Sequence, residues 1–389
     1  MVASAPLPLS ARRVALHVFF LLIILLSVIV ARPAVKQRVI SWLRRPRARH
    51  QRRERGSSHP PSSPDDVGAR VLGSSHRAFE DVFALPEAGL PIPSVVHYIF
   101  GLEPSFGHMK FGLIHYLSIV GARMHIAPQL IKWHYMYLPD GVWWECARPA
   151  LLLHKLDPII HIHGKPKAIP KVQHRADVLR MQIMMREGGM YIDSDVIPLR
   201  SFQELRKYEC VMGKEEADGQ AGLANAVILS APNTSFINRW WEEYKTFEPE
   251  KQWAYHSVIL PRQLLGQHPT EVTALSGNAF FAPPWTSLTA MYDKDDGYSY
   301  RENFAVHLWT SADANKQEML RRLSIRDIFT GKGSFQRRAR QLLVEALAQQ
   351  QLCGHAASQV EHFVGAALPD IIRDWKPPGQ ADGRNISRG

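Results

Sequence analysis

Two aspartates one residue apart, Asp193 and Asp195, end the run Gly188-Gly-Met-Tyr-Ile-Asp-Ser-Asp195. Carboxylates at i and i+2 can converge on one hard divalent cation if a strand breaks its pleat there, and Pro198 limits how far a regular strand can run. Upstream, Asp177 and Arg180 are three residues apart, which puts them on one face of a helix where they can look into the same cavity as the aspartates.

The elements that must position these groups are legible in residues 173–200. Val178, Met181, Met184 and Met185 repeat at helical spacing. Gly188 and Gly189 follow the last periodic residue, where a helix commonly ends in a left-handed conformation. Met190-Tyr191-Ile192 then reads as a short buried strand. It delivers both aspartates at its carboxyl end, the edge where open α/β sheets bind ligands.

Asp177-x-x-Arg180 followed by Gly188-Gly189-x-Tyr191-x-Asp193-x-Asp195 resembles the signature of the DXD glycosyltransferases of family 32. That group includes Golgi mannosyl-, galactosyl- and N-acetylglucosaminyltransferases and is distantly similar to the glucosylating bacterial toxins. The resemblance spans about residues 93–320. It implies an α/β fold of the GT-A nucleotide-sugar-binding type, a mostly parallel sheet flanked by helices. It also implies a metal-dependent, retaining transfer of a hexose or N-acetylhexosamine from a UDP- or GDP-sugar to a glycan or glycolipid. Asp193 and Asp195 would hold Mn2+ or Mg2+. His307, in a His307-Leu-Trp309 element similar to the family's His-x-Trp, would be the third ligand, an imidazole suiting Mn2+ better than Mg2+. By the same resemblance Asp177, Arg180 and Tyr191 bind the donor and Trp309 lies near its diphosphate. Asn225 and His256 line the sugar site, and Phe100 meets the base where the family usually has Trp. Retention by double displacement needs a carboxylate nucleophile, for which Glu215, Glu216 and Asp218 are candidates; same-face transfer needs none. The Thr-Gly-Pro element of yeast-type mannosyltransferases is replaced by Tyr255-His256-Ser257, so neither donor nor acceptor carries over.

Around this centre, strands are predicted at residues 94–101, 131–137, 158–163, 208–213, 223–230, 272–275, 280–281 and 304–309. Helices are predicted at 107–122, 236–244, from 254 and over 334–376, with a Trp-rich turn at 141–145. Strands alternating with helices argue for a helix-covered, mostly parallel sheet. His161 and His163 alternate on one strand, but no Cys or third His stands at a zinc-like spacing, so they read as structural or acceptor-side residues. Cys146, Cys210 and Cys353 read as small buried hydrophobes.

The formal charge of +11 is not a nucleic-acid footprint. Arg12 and Arg13, with the net +9 of residues 32–55, account for all of it, leaving residues 56–389 formally neutral. Val14–Ala31 is an apolar run of 18 residues, long enough to span a thin bilayer and without a small-residue cleavage pattern. The expected organisation is a short cytosolic tail (1–13), a transmembrane signal anchor (14–31), a basic, Pro/Ser-rich stem (32–90), the transferase domain (91–325) and a helical extension (326–389). The resemblance, and acceptor patterns for N-glycosylation at Asn233 and Asn385, point to a luminal catalytic domain in the Golgi or ER. The positive-inside rule alone points the other way. Two rival readings are a catalytically inactive, membrane-anchored sugar-binding or scaffold subunit and a phosphotransferase of the haloacid-dehalogenase type. Intact Asp193 and Asp195 argue against the first. Ile197, where the second needs Thr or Val, argues against that one.

Overall fold

The computed structural model describes residues 89–365, except 107–109, 159–160, 164, 167–168, 218–219, 249–253 and 295–296. The expected tail and anchor, residues 32–88 of the stem, Asp218 and Asn385 lie outside the described residues. Among those described, no helix is long and apolar enough to cross a membrane.

The chain begins with β1 (Val95–Ile99), all five residues buried, as a central strand covered on both faces requires. Next come α1 (Leu113–Gly121), which continues as a π-turn over Ala122–Ile126, then β2 (Leu130–Tyr135), α2 (Val142–Ala147) and β3 (Leu152–Lys155). A two-residue ribbon follows, β4 (His161–Ile162) with β5 (Lys165–Pro166), and then the long helix α3 (Val172–Glu187). After it the chain runs through β6 (Gly189–Ile192), β7 (Val196–Pro198), β8 (Cys210–Ala217), β9 (Gln220–Ser230) and α4 (Ser235–Glu243). A π-turn over Tyr255–Ile259 leads into α5 (Leu260–Gln267), then β10 (Thr273–Leu275), α6 (Leu288–Tyr292) and β11 (Ala305–His307). Four helices close the described chain: α7 (Ala314–Arg321), α8 (Ile325–Thr330), α9 (Ser334–Ala348) and α10 (Gly354–Val364).

Seven strands form one sheet in the order β10-β8-β9-β6-β1-β2-β3. The β10–β8, β6–β1, β1–β2 and β2–β3 pairs are parallel, and β9 runs antiparallel to both β8 and β6. The sheet is thus mixed and mostly parallel, with an apolar core on each face. One core gathers α1, α2, α9 and α10, through Leu117, Ala147, Leu342 and Val360. The other gathers α3, α4 and α5, through Met181, Trp240 and Leu264. Separately, β11 pairs antiparallel with β7, joining His307 to Val196.

Glycines set the two closest approaches. Gly188 ends α3 at φ 62° with its N–H bonded to Met184. Gly189, at φ 96°, lies where a Cβ would stand 2.7 Å from the Val95 carbonyl, so β6 can enter the sheet beside β1 only without a side chain there. Gly121 lets α1 cross against Pro198, whose carbonyl would be 2.6 Å from an added Cβ. One turn earlier, Ser118 Oγ donates to the Val196 carbonyl at 2.5 Å, so α1 braces the segment just after the aspartates.

Several expectations change. Phe280 and Phe281 form no strand but follow a 3-10 turn at Gly277–Ala279 and pack into the core. The Trp-rich turn is the helix α2, and β3 is a strand missed in the sequence. The predicted helix over 334–376 is broken between Ala348 and Gly354. Its arginines are explained by carbonyls they satisfy: Arg337 bonds to Tyr298, and Arg340 to Ile328 and Gly331. Cys146 and Cys353 are not separate buried hydrophobes. They form a disulfide across 207 residues that ties α2 to the start of α10, leaving Cys210 buried and free.

Denatured without reductant, the chain should therefore titrate one thiol, and after reduction three. Cys353→Ser should lower stability by about 2–4 kcal/mol in thermal or denaturant unfolding. Three reactive thiols before reduction would exclude the pairing.

Candidate active site

The carboxyl ends of β1 and β6, the inward face of α3 and the segment after β11 enclose an open cleft of about 270 Å³. α3 contributes Asp177 and Arg180, one turn apart, and buries both. An isolated buried guanidinium would be costly, but Arg180 is fully engaged. It lies 3.2 Å from Asp177 and 3.2 Å from Asp193, and donates to the Asn225 carbonyl at 2.8 Å and side-chain oxygen at 3.0 Å. Its plane sits over the Tyr191 ring at 4.5 Å. Asn225 completes the ring by donating to Asp177 at 2.8 Å. Burial works against the Arg180 charge, yet Asp193, Tyr191 and Asp177 outweigh it and hold the guanidinium more firmly protonated than usual.

The pleat does break after β6. The Asp193 N–H bonds to Ala226 and its carbonyl accepts from Val196, so the chain turns through Ser194 and Asp195 instead of continuing the ladder. Both carboxylates then face His307, carried by β11. One ligand atom from each of Asp193, Asp195 and His307 falls within 4.8 Å of the other two. His307 Nε2 is 3.3 Å from Asp195, and its Nδ1 has no hydrogen-bond partner, so neither nitrogen is committed to anything but Asp195. Two carboxylates and a largely unengaged imidazole fit a divalent cation. Tyr191 donates to Asp193 at 2.5 Å, and Thr310 donates to the second oxygen of Asp195 from both N–H (3.2 Å) and hydroxyl (2.7 Å).

The two acids titrate in opposite directions. Burial raises Asp193, with Asp195 adding to the rise and Arg180 opposing it. Burial would raise Asp195 too, but the His307 charge and hydrogen bonds from His307 and Thr310 hold it well below the usual carboxylate range. Burial would lower His307, and Asp195 overcomes it, so the imidazole titrates above its ordinary 6.5.

Phe100 lines the cleft next to Phe106 and His115, its ring 4.9 Å from His115 and 5.5 Å from Trp133. Trp309 does not line the cleft. At φ 55° it turns the chain back, lies 4.1 Å from the His307 ring and donates its indole N–H to Pro283 at 2.9 Å. His256 is not at the cleft wall either; it packs against Tyr244 and Phe247, and Ser257 lines the cleft in its place. The reason is the π-turn, which rotates residues 255–259 relative to a regular helix. His161 and His163 do not share a strand face: β4 ends at Ile162, and His163, at φ 52°, stacks on Trp241. Thr310, His115, Ser311 and Gln317 were not identified from the sequence. Thr310 follows directly on His307-Leu-Trp309, and that adjacency was the available signal.

Residues 149–212 match the family described as a glycosyltransferase sugar-binding region containing a DXD motif. A relative from Cryptococcus neoformans var. grubii, named glucan organizing enzyme 1, is 36% identical over 257 residues, 61% of this chain and 68% of that protein. The chain belongs to the DXD glycosyltransferases. By that membership it is an enzyme, a glycosyltransferase, and its fold is a mixed sheet with flanking helices. Similar solved structures include the glycosyltransferase GlyE of Streptococcus pneumoniae TIGR4, 9% identical at a TM-score of 0.38, covering 70% of this chain and 64% of that one. Another is the galactosyltransferase LgtC in complex with donor and acceptor sugar analogs, 13% identical at 0.32, covering 55% and 86%.

The titration of His307 gives a sign. In the metal-free protein its ion pair with Asp195 contributes stability fully below pH 6.5 and loses it as the pH rises through the raised value. A cation taking His307 must displace that proton, so Mn2+ affinity should rise between about pH 5.5 and 8. A flat calorimetric profile would exclude His307 as a ligand. Thr310→Ala should weaken Mn2+ binding by about ten-fold, the scale for a group orienting a ligand from behind.

Proposed function

We propose that this enzyme is a metal-dependent, retaining hexosyltransferase of the GT-A type, anchored by residues 14–31 with its catalytic part in the Golgi or ER lumen. On this reading it moves a hexose or N-acetylhexosamine from a UDP- or GDP-sugar to a glycan or glycolipid. The observation that carries the reading is the convergence of Asp193, Asp195 and His307 on a cleft whose other wall holds Asp177, Arg180, Asn225 and Phe100.

A divalent ion on the three ligands, Mn2+ ahead of Mg2+ because of the imidazole, would offset the charge that grows on the departing diphosphate. The chain's own residues do the rest. Arg180 and Tyr191 hold Asp193 in one orientation, and Thr310 fixes one oxygen of Asp195 so that the other stays turned to His307. Asp177 and Asn225, locked to each other, leave polar atoms at the cleft wall for donor-sugar hydroxyls. Phe100, braced by Phe111, His115 and Trp133, offers an apolar surface for the base.

Two features support the lumen. Disulfides persist in oxidising compartments, and Cys146–Cys353 ties distant parts of the catalytic half together. Asn233, first residue of Asn233-Thr-Ser235, is exposed in a left-handed turn where it can accept a glycan. The Arg-rich block after the anchor would by charge alone favour the cytosol, and the disulfide weighs against that. The relative's name directs the acceptor screen to glucans first.

The test is turnover by the purified full chain with Mn2+ and UDP- or GDP-linked glucose, galactose, mannose and N-acetylglucosamine. One donor should be consumed, chelation should stop the reaction, and Mn2+ should restore it. Asp195→Ala should lower the rate by about two to three orders of magnitude. No turnover with any of these donors would defeat the reading. Protease protection of a C-terminal tag in sealed microsomes should be complete, and digestion without detergent would reverse the topology.

A further inference from the structure

Two residues border the candidate metal site without lining the cleft. Glu215 lies on β8 two residues beyond Gly213, hence on the same side of the strand. That side meets the Phe280 and Phe281 rings, 2.6 and 2.9 Å from where a Gly213 Cβ would stand, and Phe281 is 6.0 Å from His307. The Glu215 carboxylate interacts with the His307 charge and accepts a hydrogen bond from the Trp285 side chain. Trp285 itself is 40% exposed, although tryptophan is normally well covered.

The loop bearing Trp285 is not loose. Trp309 donates to Pro283 at 2.9 Å, Asn303 to Ala282 at 2.6 Å, and the Ser287 N–H to Pro284 at 2.8 Å. An indole carried on a pinned loop offers an apolar plane with a polar edge. A carboxylate at that edge accepts hydroxyl hydrogens. Together these suit a pyranose, which has an apolar C–H face and hydroxyls around its rim.

We propose that Trp285 and Glu215 form the acceptor subsite, the sugar ring lying on the indole while one hydroxyl donates to Glu215 beside the Asp193–Asp195–His307 centre. The assignment rests on the donor reading given above. In the transfer it serves, the acceptor oxygen bonds to C1 of the donor sugar and the bond from C1 to the diphosphate oxygen breaks. The hydroxyl proton leaves with the diphosphate, and Glu215 is unchanged.

Saturation-transfer NMR on the full chain in detergent, with Mn2+ and UDP or GDP, tests this using three probes: methyl β-D-glucopyranoside, methyl α-D-mannopyranoside and methyl β-D-galactopyranoside. Ring C–H protons of at least one probe should receive saturation. Trp285→Ala should weaken that binding about five- to ten-fold, Trp285→Phe should retain most of it, and Glu215→Ala should weaken it as well. No ring signal in the native chain, or native binding in Trp285→Ala, would overturn the proposal. Turnover with the UDP- and GDP-sugars named above separates the two readings. If none is consumed the donor reading fails. If one is consumed while Trp285→Ala binds glycoside normally, only the acceptor subsite fails.

Discussion

The cleft depends on one buried cation. Arg180, 4% exposed, ties α3 to β9 through Asn225 and to the end of β6 through Asp193. Removing it would leave the buried Asp177 and the half-buried Asp193 without a cationic partner, a loss of up to about 3–5 kcal/mol for a broken buried pair. A buried ion pair of this kind is a weak source of net stability, because desolvation consumes most of the Coulomb gain. Its contribution is to geometry: the guanidinium fork permits one placement of both carboxylates and the amide. Asp193 is thereby held by Arg180 and Tyr191 with a ligand atom within 4.8 Å of those of Asp195 and His307.

The centre of the fold was legible because its signals are local. Helical spacing from Val178 to Met185, a glycine pair and a short apolar strand occupy consecutive positions, and each obeys backbone rules that need no distant partner. The Asp177–Arg180 pairing followed from helix geometry alone. What could not be read depended on contacts across the chain. Thr310 bonds to Asp195 across 115 residues, and no periodicity announces such a bond. The Cys146–Cys353 pairing depends on α10 returning to α2, and a count of three cysteines does not specify it. His256 and Trp309 were placed by likeness to a motif. Their side chains follow local backbone twists instead, a π-turn in one case and a left-handed residue in the other.

Beyond β11 the chain completes the scaffold. Phe335, Leu342, Leu343 and Ala346 of α9 enter the same core as Leu117 and Val120 of α1, the helix that braces the aspartate loop through Ser118. The last described helices and the metal-ligand segment thus share one layer of packing. The disulfide closes that layer at its far edge.

The left-handed turn at Trp309 has a mechanical consequence. A bulky residue in that region of backbone space carries strain that its surroundings must hold in place. Here the restraint is the indole itself, pressed against His307 on one side and bonded to Pro283 on the other. It behaves as a crossbar between the metal-ligand strand and the loop that ends in Trp285. A shift of either must break or carry one of these two contacts, so a single side chain links the loop to the imidazole.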